Sequence, residues 1–144
     1  MAIRFYLSGY YVFSNFSPHA IEFRGKLYPT AEHAYQAAKC SDPQGKEAIR
    51  TAFSPLRAKQ LANGPYKEAK IPRWNEQKLT VMEEILRAKA DQHKEVRDAL
   101  SQSRSEELVE DSPLDYFWGR GRNGTGDNQL GQLWMKLRDE LLVD

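Results

Sequence analysis

Residues 21–39 read IEFRGKLYPTAEHAYQAAK, and the hydrophobic pattern changes period partway along. Ile21 and Phe23 alternate with polar residues, the period of a half-buried strand, before a turn near Arg24-Gly25. Thr30 then stands where its hydroxyl can accept from an otherwise orphaned first-turn amide, which predicts a helix from there through Lys39. One stretch therefore carries both a β signal and an α signal.

Upstream, IRFYL (3–7) gives a second short β signal, and a small antiparallel sheet fits the two. Downstream, helices dominate. Asp42-Pro43 and Ser54-Pro55 each place a capping side chain before a proline whose missing N–H costs nothing at a helix start, and the second helix stops at Asn63-Gly64. The longest pattern begins near Arg73 and puts Trp74, Val81, Met82, Ile85 and Ala88 on one core-facing stripe. A shorter amphipathic piece surrounds Val96 and Leu100. Asn128 can cap a final helix in which Leu130, Leu133, Trp134, Leu137 and Leu141 share a face. No repeat, linker or low-complexity tract divides the chain. The expected architecture is mainly α with a small antiparallel β-sheet (α+β), in one domain over residues 1–144.

Composition narrows the function. The 144 residues hold 21 Lys and Arg against 20 Asp and Glu, so no bulk field attracts a polyanion and any nucleic-acid contact is local. The opening MAIRFYLSGYYVFSNF lacks the apolar core of a signal peptide, and no apolar run is long enough to span a bilayer. A cytoplasmic protein without membrane attachment is expected. Cys40 stands alone, which excludes an intramolecular disulfide, and His19, His33 and His93 are too scattered for a zinc site. No metal and no cofactor is expected.

The least ordinary stretch is WGRGRNGTGDN (118–128). Glycines at 119, 121, 124 and 126 can turn backbone N–H groups toward a ligand, and the helix that follows offers an anion the positive end of its dipole. Arg120 and Arg122 add charge, so phosphate or pyrophosphate is the natural guest. Residues 119–124 match G-x-G-x-x-G, but neither a βαβ unit nor a ribose-binding acid some 20 residues on accompanies them, and a dinucleotide fold is rejected. A connection that needs glycine only for its turns is the plain alternative.

In the helix opened by Thr30, the i, i+4 and i+7 positions put Glu32, Gln36 and Lys39 on one face, with Glu32 and Lys39 about 10 Å apart along the axis. Both can reach over one pocket, while Ala31, Ala34, Ala37 and Ala38 let another element come close. A solvated face bearing an ordinary Glu and Lys is the alternative.

Together FSNFSP (13–18), YPTAEHAYQAAK (28–39) and YFWGRGRNGTGDNQLG (116–131) resemble the ordered signatures of the NADAR (YbiA-like) family, and RWNEQKLTVMEEILRAKADQH resembles its long middle helix. The resemblance spans nearly the whole chain. It implies an N-glycosidase of NAD- and ADP-ribose-associated chemistry. It also implies that Glu32 is the family's helix acid, Lys39 its lysine, and Asp115 and Trp118 its acid–aromatic pair. Asn15, Phe16 and Ser17 look like the family's pocket edge, and Gly119, Gly121 and Asn128 like its phosphate-side loop. Arg120 departs from the WGDG-type loops of relatives and favours a more anionic substrate.

Cleaving a ribosyl C–N bond requires stabilising positive charge at the anomeric carbon and protonating the leaving nitrogen. The family's lysine route runs through an imine and needs a neutral amine, which makes Lys39 the catalytic candidate. Glu32 would move protons, Asp115 would hold a ribose hydroxyl or assist as acid or base, and Trp118 and Gln36 would line the substrate. The leading expectation is removal of ADP-ribose from guanine in DNA or RNA, as the antidote to a cognate ADP-ribosyltransferase toxin. The alternatives are hydrolysis of phosphoribosylamino intermediates of riboflavin synthesis and a non-catalytic ADP-ribose-binding module.

Overall fold

The computed structural model describes residues 2–6 and 11–141. Along them run β1 (Ala2–Phe5), a 3-10 turn (Tyr11–Phe13), β2 (Ile21–Phe23), β3 (Lys26–Tyr28), α1 (Ala31–Lys39) and α2 (Pro43–Arg50). Next come α3 (Pro55–Asn63), α4 (Trp74–Gln92), α5 (Lys94–Gln102), β4 (Glu107–Glu110) and α6 (Gln129–Leu141). The fold is α+β. The chain forms two compact units: Asn15–Gln92, which is contiguous, and Met1–Ser14 together with His93–Asp144.

The contiguous unit is built on α1. Thr30 Oγ1 accepts from His33 N–H, Asp42 caps α2 through Gln44 N–H and Ser54 caps α3 through Arg57 N–H, so all three expected starts are side-chain capped. Every residue from Ala31 to Ala38 is buried. Alanines at 31, 34 and 37, none of them exposed, let α2, α3 and α4 all pack on this short helix. From α4, Trp74, Val81, Met82 and Ile85 point inward as expected, but Leu86 and Lys89 are buried too, while Ala88 is only half-buried.

β2 and β3 form the antiparallel hairpin, with Ile21 opposite Tyr28 and Phe23 opposite Lys26. Its two turn residues, Arg24 and Gly25, both take positive φ (53° and 84°), the geometry whose twist matches a two-residue hairpin. Arg24 carries some strain there. Its guanidinium is anchored by a bidentate pair to Glu84, both bonds 3.0 Å, and lies 4.8 Å from the Phe23 ring centre.

The discontinuous unit holds a second strand pair. β1 does not join the hairpin. It pairs in parallel with β4, from Ala2 opposite Glu107 to Phe5 opposite Glu110, and Leu7 of the expected strand lies outside the described residues. α6 packs on β4 and α5. The indole of Trp134, fully buried, donates to Phe13 O at 2.9 Å and lies 5.5 Å from the Phe13 ring, which in turn meets Phe5 edge-on at 5.7 Å. Leu141 does not share the buried face of α6 and is 38 % exposed.

Asn128 is not the side-chain cap expected of it. Its φ is +51°, away from the extended backbone of an N-cap. Its side chain serves β4 instead, accepting from Glu110 N–H at 2.9 Å and donating to Leu108 O at 3.0 Å. Among the described residues, no helix is long and apolar enough to cross a membrane.

Candidate active site

In the contiguous unit, α1 presents an acid and an amine from one helix. Glu32 is 7 % exposed; its N–H donates to Asn15 O at 3.0 Å, and its Oε2 accepts from Gln36 Nε2 at 2.7 Å. Asn15 spends its amide N–H on Met82 Sδ at 3.4 Å. Asn15 Oδ1 and Gln36 Oε1 are both buried without a hydrogen-bond partner. Buried acceptors without donors are costly, and one of the two, Gln36 Oε1, belongs to the amide that holds the Glu32 carboxylate.

Lys39 closes the same helix. Its Nζ donates to Asn63 Oδ1 of α3 at 2.8 Å, and the side chain adjoins a cavity of about 290 Å³. Desolvation holds its pKa below the ordinary lysine value. The Glu32 charge opposes that shift, and the nearby Lys70 and Lys59 charges reinforce it. A lysine tuned this way has more neutral amine at a given pH than a solvated one, which is what nucleophilic attack needs.

The pocket-edge segment is mixed. Phe16 is half-buried, but Ser17 is fully buried, accepting from Lys89 Nζ at 2.7 Å and sharing a 2.7 Å hydrogen bond with His19 Nδ1. Lys89 is itself fully buried on α4, a placement that leaves no signal in the sequence because a lysine breaks the apolar pattern of a core stripe.

In the discontinuous unit, Asp115 Oδ1 accepts from both Phe117 N–H (3.0 Å) and Trp118 N–H (2.8 Å), so one carboxylate oxygen is committed to a turn. That turn sets Trp118 edge-on against Phe117, ring centres 4.7 Å apart, with both side chains half-buried. The glycine-rich loop turns its amides inward. N–H groups of Arg120, Gly121, Gly124, Gly126, Asp127 and Asn128 donate to backbone carbonyls, and those of Gln129 and Leu130 at the start of α6 donate to Phe117 O and Trp118 O. Such amides are not turned toward an anion. Gly121 has a steric reason to be glycine: its φ is +73°, and a Cβ there would run into the Tyr116 ring. Arg120 pairs with Glu107 Oε2 at 3.3 Å; Arg122 is exposed.

The fold and these residues define an α+β protein that carries a buried carboxylate and a desolvated amine on one helix, with an Asp–Trp turn and glycine loop on its other unit. The NADAR domain model matches residues 4–142, and the chain belongs to the NADAR domain family. It is 40 % identical over 132 residues to N-glycosidase YbiA of Shigella boydii serotype 4 (strain Sb227), covering 92 % of this chain and 82 % of that one. It is 37 % identical over 151 residues to the chloroplastic riboflavin biosynthesis protein PYRR of Zea mays, covering 90 % of this chain but 23 % of that protein. The NMR structure of the E. coli protein YbiA superposes with a TM-score of 0.88 at 39 % identity, over 99 % of this chain and 85 % of that one.

Proposed function

We propose that this protein hydrolyses the C–N bond between a phosphate-bearing ribose and an amine or base, with Lys39 as nucleophile and Glu32 as proton carrier. The observation that carries this reading is the placement of a desolvated, cation-flanked amine on the same helix as a buried carboxylate. In the proposed sequence, the neutral Lys39 amine forms a bond to the anomeric carbon. The C–N bond to the leaving nitrogen breaks, and that nitrogen departs with a proton delivered by Glu32. Glu32 takes up the proton that the attacking amine sheds. The bond between the anomeric carbon and the ring oxygen then breaks as that oxygen is protonated, and the ring-opened sugar is held as an imine. Water adds to the imine carbon and the C–N bond to Lys39 breaks, releasing the free aldehyde sugar and returning the amine.

The relatives bear on the substrate. Two of them carry the name N-glycosidase YbiA or riboflavin biosynthesis protein, and for that reason phosphoribosylamino pyrimidines of riboflavin synthesis stand first here. The second reading is ADP-ribosyl-guanine in DNA or RNA, with a toxin as functional counterpart; the cationic Arg120, where WGDG-type loops carry an acid, favours this more anionic substrate. The deciding experiment is incubation with both substrates and mass spectrometry of the products. Release of ribose 5-phosphate supports the first, release of ADP-ribose the second, and release of neither overturns the glycosidase reading.

A further inference from the structure

Positive charge collects beyond the C-terminal end of α1. The cavity there is walled by Lys39, Asn63, Tyr66, Lys67, Glu68 and Lys70, together with smaller residues. Main-chain hydrogen bonds fix the lysines' relative placement: Cys40 bridges Lys70 in antiparallel fashion, Ile71 N–H donates to Lys39 O at 2.9 Å and Ser41 N–H to Ala69 O at 2.7 Å. Among the described residues, neither Lys67 nor Lys70 has a carboxylate within ion-pair distance, although Glu68 lies between them in sequence. Asn63 spends its oxygen on Lys39, which leaves its NH₂ as a neutral donor beside the same opening. Three lysines thus line one concavity with a single acid among them. That arrangement is unfavourable when empty and is relieved by an anion.

We propose that this cavity is a phosphate site, in which Lys67 and Lys70 neutralise the dianion and the Asn63 amide donates to it. The idea that the phosphate belongs to the substrate rests on the function proposed above; the affinity for phosphate does not. The glycine loop, by comparison, spends most of its amides on main-chain carbonyls. The contrast with Arg120 is direct, since that guanidinium already pairs with Glu107.

The test is a titration of inorganic phosphate into the ¹⁵N-labelled full chain, which needs no turnover and so stands or falls apart from the glycosidase reading. Saturable amide shifts are expected in residues 62–70, with affinity at least about tenfold weaker in the Lys67→Ala/Lys70→Ala protein and largely retained in Lys67→Arg/Lys70→Arg. Absence of saturable shifts in that segment, or equal affinity in the alanine variant, overturns the proposal. Kinetics then separate the two sources of phosphate. Inhibition by phosphate that raises KM alone assigns the site to the substrate's own phosphate, and a lowered kcat at unchanged KM assigns it to free phosphate. Phosphate that binds and changes neither constant overturns its placement beside Lys39.

Discussion

Gln36 Nε2 donates to Glu32 Oε2 at 2.7 Å, so the carboxylate is oriented by an amide one turn further along its own helix. Glu32→Gln keeps that shape and removes the charge. The expected outcome is a folded protein whose kcat falls about a hundredfold or more. Wild-type turnover by the folded variant would remove Glu32 from the mechanism.

Lys39→Arg keeps a cation beside Asn63 but cannot form an imine, because a guanidinium stays protonated. Turnover should vanish while substrate affinity largely persists. Reduction with hydride during turnover of the wild type should attach the sugar to a peptide containing Lys39. Because burial lowers the Lys39 pKa, the yield of that adduct should rise with pH through a midpoint below the ordinary lysine value of 10.5. An active Lys39→Arg protein, or an adduct elsewhere, refutes the imine.

Arg120 and Arg122 flank glycines on a loop that leads into α6. Replacing both with alanine should raise KM more than it lowers kcat, since the arginines are expected to bind phosphate rather than to act on the bond that breaks. Calorimetry with ADP-ribose checks this directly, and an unchanged affinity rules it out.

His33 Nε2 faces Ala52 O at 3.0 Å, which requires a proton on that nitrogen, and its Nδ1 meets Thr30 Oγ1 at 2.8 Å. Thr30 Oγ1 already accepts from His33 N–H, so its own proton points to Nδ1 and the neutral ring is the one that fits. Desolvation accordingly lowers the His33 pKa from 6.5, although the Ala52 hydrogen bond works the other way. With the folded pKa depressed, the unfolded chain takes up its proton first as the solution is acidified. The stability that His33 contributes is therefore full above about pH 6.5 and is lost as pH falls through the folded value. Urea midpoints measured from pH 8 to pH 5 should decline in the wild type, and His33→Gln should flatten that decline.

Gly131 lies on α6 where a Cβ would collide with Leu108 O and with the Asn128 side chain. Both partners are fixed by hydrogen bonding, so the clash cannot relax cheaply. Gly131→Ala should cost about 1–3 kcal/mol, read as a lowered denaturant midpoint, despite alanine's better helix propensity. A midpoint at or above the wild-type value would contradict the packing described.

What could be read in advance was local. Thr30, Asp42 and Ser54 cap helices within three residues of themselves, so sequence proximity carries the information. The shared face of Glu32 and Gln36 follows from helical period in the same way. Asn128 was misread because its partners are the backbone of β4, 18 and 20 residues away, and no local pattern announces them. The inward-turned amides of the glycine loop depend likewise on Glu110, Ser112 and Tyr116. Lys67 and Lys70 sit in a connection with no period, and only the main-chain pairing of residues 39–41 with 69–71 brings them to Lys39.

The parallel pairing of Ala2 with Glu107 sets an order of assembly. At a synthesis rate of roughly 5–20 residues per second, the first strand leaves the ribosome about 5–20 s before its partner exists. Residues 15–92 are meanwhile complete and contiguous, free to collapse on α1 during translation. Until β4 emerges, β1 is an unpaired edge ending in Phe5, a side chain with no exposure once folded. Nascent chains stalled before residue 107 should therefore depend on chaperones more than those stalled after the sheet can close.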